Sequence, residues 1–94
     1  MQKKERLAAL RSMLLSMEHE AGLDALSEGQ RDLYYAACLS ADNLSLVQSD
    51  DLRKHPMLSR MPRSTFFRLL KELVSSGYLA PVGSQRSGQY AIVK

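Results

Sequence analysis

Residues 62–94 constrain the fold more than any other stretch of the chain. They read Pro-Arg-Ser-Thr-Phe-Phe-Arg-Leu-Leu-Lys-Glu-Leu-Val-Ser-Ser-Gly-Tyr-Leu, then two short strand-like runs joined by a Gly-flanked turn. Stepping about 100° per residue from Phe66 puts Phe66, Leu69, Leu70, Leu73 and Val74 in one stripe, the pattern of a buried helix face. The opposite side carries Ser64, Arg68, Lys71 and Ser75, with Phe67 on its flank and Arg63 in the first turn. Pro62 suits the first helical position, where its missing N–H costs nothing. Gly77 sits where a left-handed cap would stop the helix. An amphipathic helix that opens with arginines and leads into a β-hairpin suits docking on double-stranded DNA, as a reading helix with a wing beside it.

A face of serine, arginine and lysine is also what an ordinary solvated helix presents. Two features set this one apart. Its cations gather toward the N-terminal end, where the helix dipole favours acids instead. Phe67 lies beside Ser64 and Lys71, where it either meets a thymine methyl in the major groove or covers the edge of the core. Charge along the chain is uneven in the same sense. Residues 1–47 hold five Lys/Arg against seven Asp/Glu, whereas residues 48–94 hold eight against three. The positive excess therefore falls in the half with the candidate helix and hairpin, as a polyanion-binding footprint requires. A generic basic surface would give the same imbalance.

Upstream, residues 3–21 read as a first helix in which Leu7, Leu10, Leu14, Met17 and Ala21 step by alternating threes and fours. That is a narrow seam suited to another helix, and at just over two heptads it is too short to stand as an isolated coiled coil. Met13 and Leu15 widen the apolar surface, which favours pairing with a second copy over docking on its own domain. Gly22 closes this segment, so residues 1–22 form the dimerisation or docking unit and residues 23–94 the main domain. Ser27 with Gln30 makes a capping box for a second helix, turning Leu33, Tyr34 and Ala37 inward and fading over 40–43. Residues 44–47 are apolar enough for one edge strand. Ser49 reads as an N-cap with Asp50 and Asp51 in the first turn. It opens a short helix that turns Leu52 inward and Arg53 and Lys54 outward, and Pro56 ends it at His55.

Residues 78–82 and 89–93 read as strands joined by Gly-Ser-Gln-Arg-Ser-Gly, turn chemistry throughout. Pro81 belongs on an edge. Arg86 lies at the hairpin tip, within reach of a minor groove or a phosphate. The expected class is therefore mainly α with a small β-hairpin, an α+β fold.

Ninety-four residues are enough for one modest core. No stretch approaches the ~20 apolar residues of a membrane span, and the N-terminus runs into an amphipathic helix, not a signal peptide. Cys38 is the single cysteine, which excludes an internal disulfide and fits a reducing cytoplasm. His19, His55 and Cys38 lack metal-type spacing, and no phosphate-cradling glycine loop or nucleophile motif is present. Asp50 and Asp51 are better explained by helix electrostatics than by acid–base work. The reading is a protein without metal or cofactor and without catalytic residues, not an enzyme.

The order helix, helix, short strand, helix, helix, hairpin resembles the winged helix-turn-helix, and residues 26–94 are most similar to the DNA-binding lobe of MarR-type transcriptional regulators. The carrying residues are Leu-Ser-Glu-Gly-Gln-Arg from Leu26, Arg-Ser-Thr from Arg63, Leu69, Leu73, Gly-Tyr-Leu from Gly77, and the 83–88 turn. The resemblance implies a recognition helix over about 62–76, with Arg63, Ser64, Thr65, Phe67, Arg68 and Lys71 at its reading positions. It also implies a supporting helix at 49–55 bearing Arg53 and Lys54, a wing over about 78–93 carrying Arg86, and a homodimer. Two departures stand out. The 56–61 link is longer than the motif's tight turn, and the C-terminal helices of such regulators have no counterpart here, so an effector pocket does not carry over. The rival expectation is a winged-helix module that binds protein and not DNA.

Overall fold

The computed structural model describes residues 2–83 and 87–93. Among them the chain is mainly helical, with helices α1 (Lys3–Glu20), α2 (Glu28–Ser40), α3 (Ser49–Arg53) and α4 (Arg63–Ser75). Strands β1 (Leu46–Gln48), β2 (Leu79–Pro81) and β3 (Gln89–Ile92) form one antiparallel sheet in the order β1-β3-β2. Short 3₁₀ turns occupy Leu23–Ala25 and Pro56–Leu58.

Local sequence explains most boundaries. The capping box forms as expected: the Gln30 N–H donates to Ser27 Oγ at 3.3 Å, and the Ser27 N–H donates to Gln30 Oε1 at 2.9 Å. Helix α4 ends in a Schellman arrangement. The Gly77 N–H donates to the Val74 carbonyl at 3.1 Å, the Tyr78 N–H donates to the Leu73 carbonyl at 3.0 Å, and Gly77 has φ +83°. Only a residue without Cβ takes that φ cheaply.

Several boundaries differ from expectation. Pro62 is extended and precedes the helix, which begins at Arg63. Ser49 is not a cap but the first residue of α3, and no side chain caps that helix. Its N–H instead donates to the Gly88 carbonyl at 2.8 Å. Gly88 has φ +66°, and a Cβ there would lie 3.0 Å from Ser49 Oγ, so the chain entering β3 at the turn end of the hairpin sits directly on α3. The edge strand starts two residues later than expected. Asp42 Oδ1 accepts from the N–H groups of Leu44 and Leu46, and Ser45 turns left-handed at φ +61°, so the turn consumes Leu44. Strand β2 is shorter than the 78–82 run, and its Pro81 lies on the sheet edge, opposite Tyr90 of β3.

One core joins the elements. Leu33 and Tyr34 of α2, Leu52 of α3, Leu58 of the second 3₁₀ turn, Phe66, Leu69, Leu70 and Leu73 of α4, and Leu79 of β2 are all buried in it. The expected α4 stripe is thus present, except that Val74 is only half-buried at its rim. The 56–61 link is ordered by this core. Leu58 is buried and His55 Nδ1 accepts from the Met57 N–H.

Helix α1 stands apart from the core. Glu18 is its one buried residue among those described. The radius of gyration is 14.4 Å, against about 12 Å for a compact chain of this length, because α1 projects and stretches the molecule to 50 × 26 × 26 Å. Its attachment lies at its C-terminal end, where Tyr35 Oη donates to Glu18 Oε2 and Arg31 Nε lies 3.9 Å from the same oxygen. His19 Nδ1 is 2.6 Å from Asp24 Oδ2, a hydrogen bond that lowers the Asp24 carboxyl pKa.

Burial pushes the Tyr34 and Tyr35 phenols up to about 12, and for Tyr35 the hydrogen bond to Glu18 adds to it. Each phenol then keeps its proton in the folded chain after an unfolded tyrosine, near 10, has lost its own. The folded state binds more protons in that window, so stability falls as pH rises from about 10 to 12. A spectrophotometric phenolate titration is expected to show two of the four tyrosines ionising late, together with loss of helical signal. Replacing Tyr35 with Phe should remove one late phenol.

Candidate nucleic-acid interface

Helices α3 and α4 bring three of the expected residues together. The Arg63 guanidinium carbon lies 5.2 Å from the centre of the Phe67 ring and that of Arg53 lies 5.7 Å from it. Both distances are in the range of cation–π attraction. Phe67 is braced from behind by the buried Phe66, with ring centres 5.1 Å apart and planes at 87°. The sequence accounts for this placement. Phe66 points into the core on the α4 stripe, which turns the next residue about 100° outward, toward the C-terminal end of α3. Phe67 remains 39% exposed.

Lys71, one turn further along α4, lies with Phe67 on a groove of about 420 Å³ between α4 and the sheet. Leu70 and Val74 form its floor on the helix side, and Pro81 and Tyr90 close it from β2 and β3. Ser64 is exposed and Thr65 half-buried in the first turn of α4, and Lys54 is exposed at the end of α3. No side chain caps α4 and no acid stands in its first turn. The leading N–H groups of the helix are therefore available to an anion beside the arginines.

Arg68 is placed differently. Its Nη1 lies 3.3 Å from Glu72 Oε2, one turn along the same helix. The other oxygen of that carboxylate accepts from Gln30 Nε2 at 2.9 Å. Glu72 thus ties α4 to the capping residue of α2 and shares its charge with Arg68. An exposed pair of this kind contributes little stability, yet it opposes the use of Arg68 as a free cation. Among the described residues, Arg53 and Arg63 have no carboxylate within ion-pair distance; Asp50 and Asp51 are exposed nearby in sequence but do not reach them. Arg86, expected at the hairpin tip, lies outside the described residues.

Glu72, one turn after Arg68, is readable from the sequence as a carboxylate that would neutralise it and so favour a protein-binding module. The bond it accepts from Gln30 across the helix crossing is not readable there, nor are the places of Pro81 and Tyr90 in the groove. The only signal available was the capping box, which fixes Gln30 locally but not its second bond. The other candidate ligands have plain structural roles. His55 closes a turn, His19 bonds Asp24, and Cys38 is exposed without a disulfide partner. No cluster of three metal-ligating side chains occurs among the described residues, and no described helix is long and apolar enough to cross a membrane.

The expected pairing residues Leu7, Leu10, Leu14 and Met17 stand 60%, 59%, 39% and 62% exposed on α1. Leu14, Met17 and Ala21 line a notch of about 210 Å³ completed by Leu23 and Tyr35, with little polar surface in it. No family model matches this chain, and no curated protein or solved structure does so either.

Proposed function

We propose that residues 23–94 form a winged helix-turn-helix that binds double-stranded DNA, with α4 entering the major groove and the β2/β3 hairpin acting as the wing. The observation that carries this reading is the cluster of Arg53, Arg63 and Phe67, where two cations without carboxylate partners among the described residues lie beside the uncapped start of a helix with one exposed face. Ser64 and Lys71, on the same side of α4 as Phe67, extend this surface toward phosphates, and Lys54 and Thr65 are assigned further phosphate contacts. The +3 net charge of the chain is modest, so local clustering matters more than overall attraction. Fluorescence anisotropy of a labelled random duplex across a salt series tests it. Binding whose logarithm falls steeply with the logarithm of salt is expected, since each neutralised phosphate releases counterion. No binding at low salt would overturn the reading.

A protein-interaction module is the second reading. The groove beside the exposed Phe67, with its partly apolar walls, favours it, and a failed duplex titration would bring it forward.

We further propose that the protein is a homodimer joined through α1. The half-exposed seam of Leu7, Leu10, Leu14 and Met17 covers more apolar surface than a solvated helix needs, and the notch against Leu23 and Tyr35 gives a second copy somewhere to seat. Replacing Leu10 and Leu14 together with Asp should leave the fold intact, because both side chains lie outside the core. Sedimentation should then fall from about twice to about once the 10.5 kDa chain mass. Wild type sedimenting as a monomer at micromolar concentration would end this proposal.

A further inference from the structure

Within the DNA-binding reading, on which this inference rests, the surface has a chemical preference of its own. We propose that Phe67 is its specificity-determining side chain, taking the 5-methyl group of a thymine, while Arg63 and Arg53 read guanine in the neighbouring base pairs.

A phenyl ring cannot donate or accept a conventional hydrogen bond. Against most of the major-groove edge it would strip water from a base donor or acceptor and leave that group unpaired, which is costly. The thymine methyl is the apolar exception on that edge. The ring is also held in place. Phe66 braces it from the core side at 5.1 Å between centres, so little ordering remains to be done on binding.

The arginines are placed to act beside it. A guanidinium drawn to an aromatic ring keeps its N–H groups in its own plane, free for two parallel bonds, and guanine O6 and N7 accept such a pair. Their guanidinium carbons lie 5.2 and 5.7 Å from the ring centre. That separation falls between one and two base-pair steps of about 3.4 Å, so the methyl and the guanine contacts are confined to adjoining pairs. Arg68, held by Glu72, is not required.

The test begins with the 94-residue chain and duplexes enriched from a random pool. In the best site each thymine is replaced singly by deoxyuridine, which removes only the methyl group, and each neighbouring guanine by 7-deazaguanine, which removes only N7. One thymine per half-site, beside a sensitive guanine, is expected to lose about three- to fivefold in affinity, the worth of one buried methyl. Phe67→Ala and Phe67→Leu should bring the thymine to deoxyuridine ratio down, to near one for Ala. Arg63→Lys should weaken the guanine effect while retaining the methyl effect. Circular dichroism checks the fold of each variant, and Phe67→Leu serves if the alanine variant is unstable. Equal binding of thymine and deoxyuridine at every position would overturn the inference and leave DNA binding intact. A ratio that persists in Phe67→Ala would overturn it as well, by assigning the methyl to another side chain. Failure to bind any duplex would overturn both readings together.

Discussion

Phe66→Ala is expected to destabilise the domain by about 3–5 kcal/mol, the usual range for removing a buried phenylalanine and leaving its cavity. Phe66 is 2% exposed and lies among the buried residues of α2, α3 and β2. A domain of this size has about 5–15 kcal/mol in total, so the variant should lose a large share of its stability and unfold at a much lower urea concentration than the wild type. Urea unfolding followed by circular dichroism would measure it. Phe67→Ala, one residue on, should cost far less, because that ring is 39% exposed and packed on one side. Equal losses at the two positions would mean that Phe67 belongs to the core, and the interface would lose its centre.

The second large effect concerns binding. The double variant Arg53→Ala/Arg63→Ala should lose about 10²- to 10³-fold on the preferred duplex, at about 1–3 kcal/mol for each base-reading contact. On random duplex the loss should be much smaller. Lys54→Ala should instead weaken all duplexes by a similar factor and reduce the salt slope by about one. Competition anisotropy at fixed salt separates the two patterns. If the arginine variant loses specific and random binding equally, the pair holds backbone and does not read bases.

Much of this architecture was legible because the signals are local. Ser27 with Gln30, Gly77 after a helical stripe, and Pro81 beside a turn each act through geometry within a few residues. The extent of α1 was equally plain, since the helix runs from Lys3 to Glu20, against an expected 3–21. What could not be read depends on residues far apart in sequence. Ser49 looks like a cap until the Gly88 carbonyl arrives to take its N–H. Glu72 is the neighbour of Arg68 one turn along its own helix and could be named as its partner, but the bond from Gln30, 42 residues away, that holds this carboxylate could not. Arg53 and Arg63 could be named separately, but their meeting on one ring depends on how the 56–61 link folds. That link looked too long for its motif, and a 3₁₀ turn with Leu58 in the core sets its path.

The projecting α1 makes the molecule a lever. From Glu18, where the helix is pinned by Tyr35 and Arg31, to its start at Lys3 is about 22 Å at 1.5 Å per residue. A tilt of roughly 10° at the pin therefore moves the far end by about 4 Å, more than the ~3.4 Å separating neighbouring base pairs. In the proposed dimer joined through these arms, the stiffness of this attachment, to which the His19–Asp24 bond also contributes, would set the tolerance for spacing between half-sites. Loosening that pin would broaden the range of accepted spacings while leaving each half-site read as before.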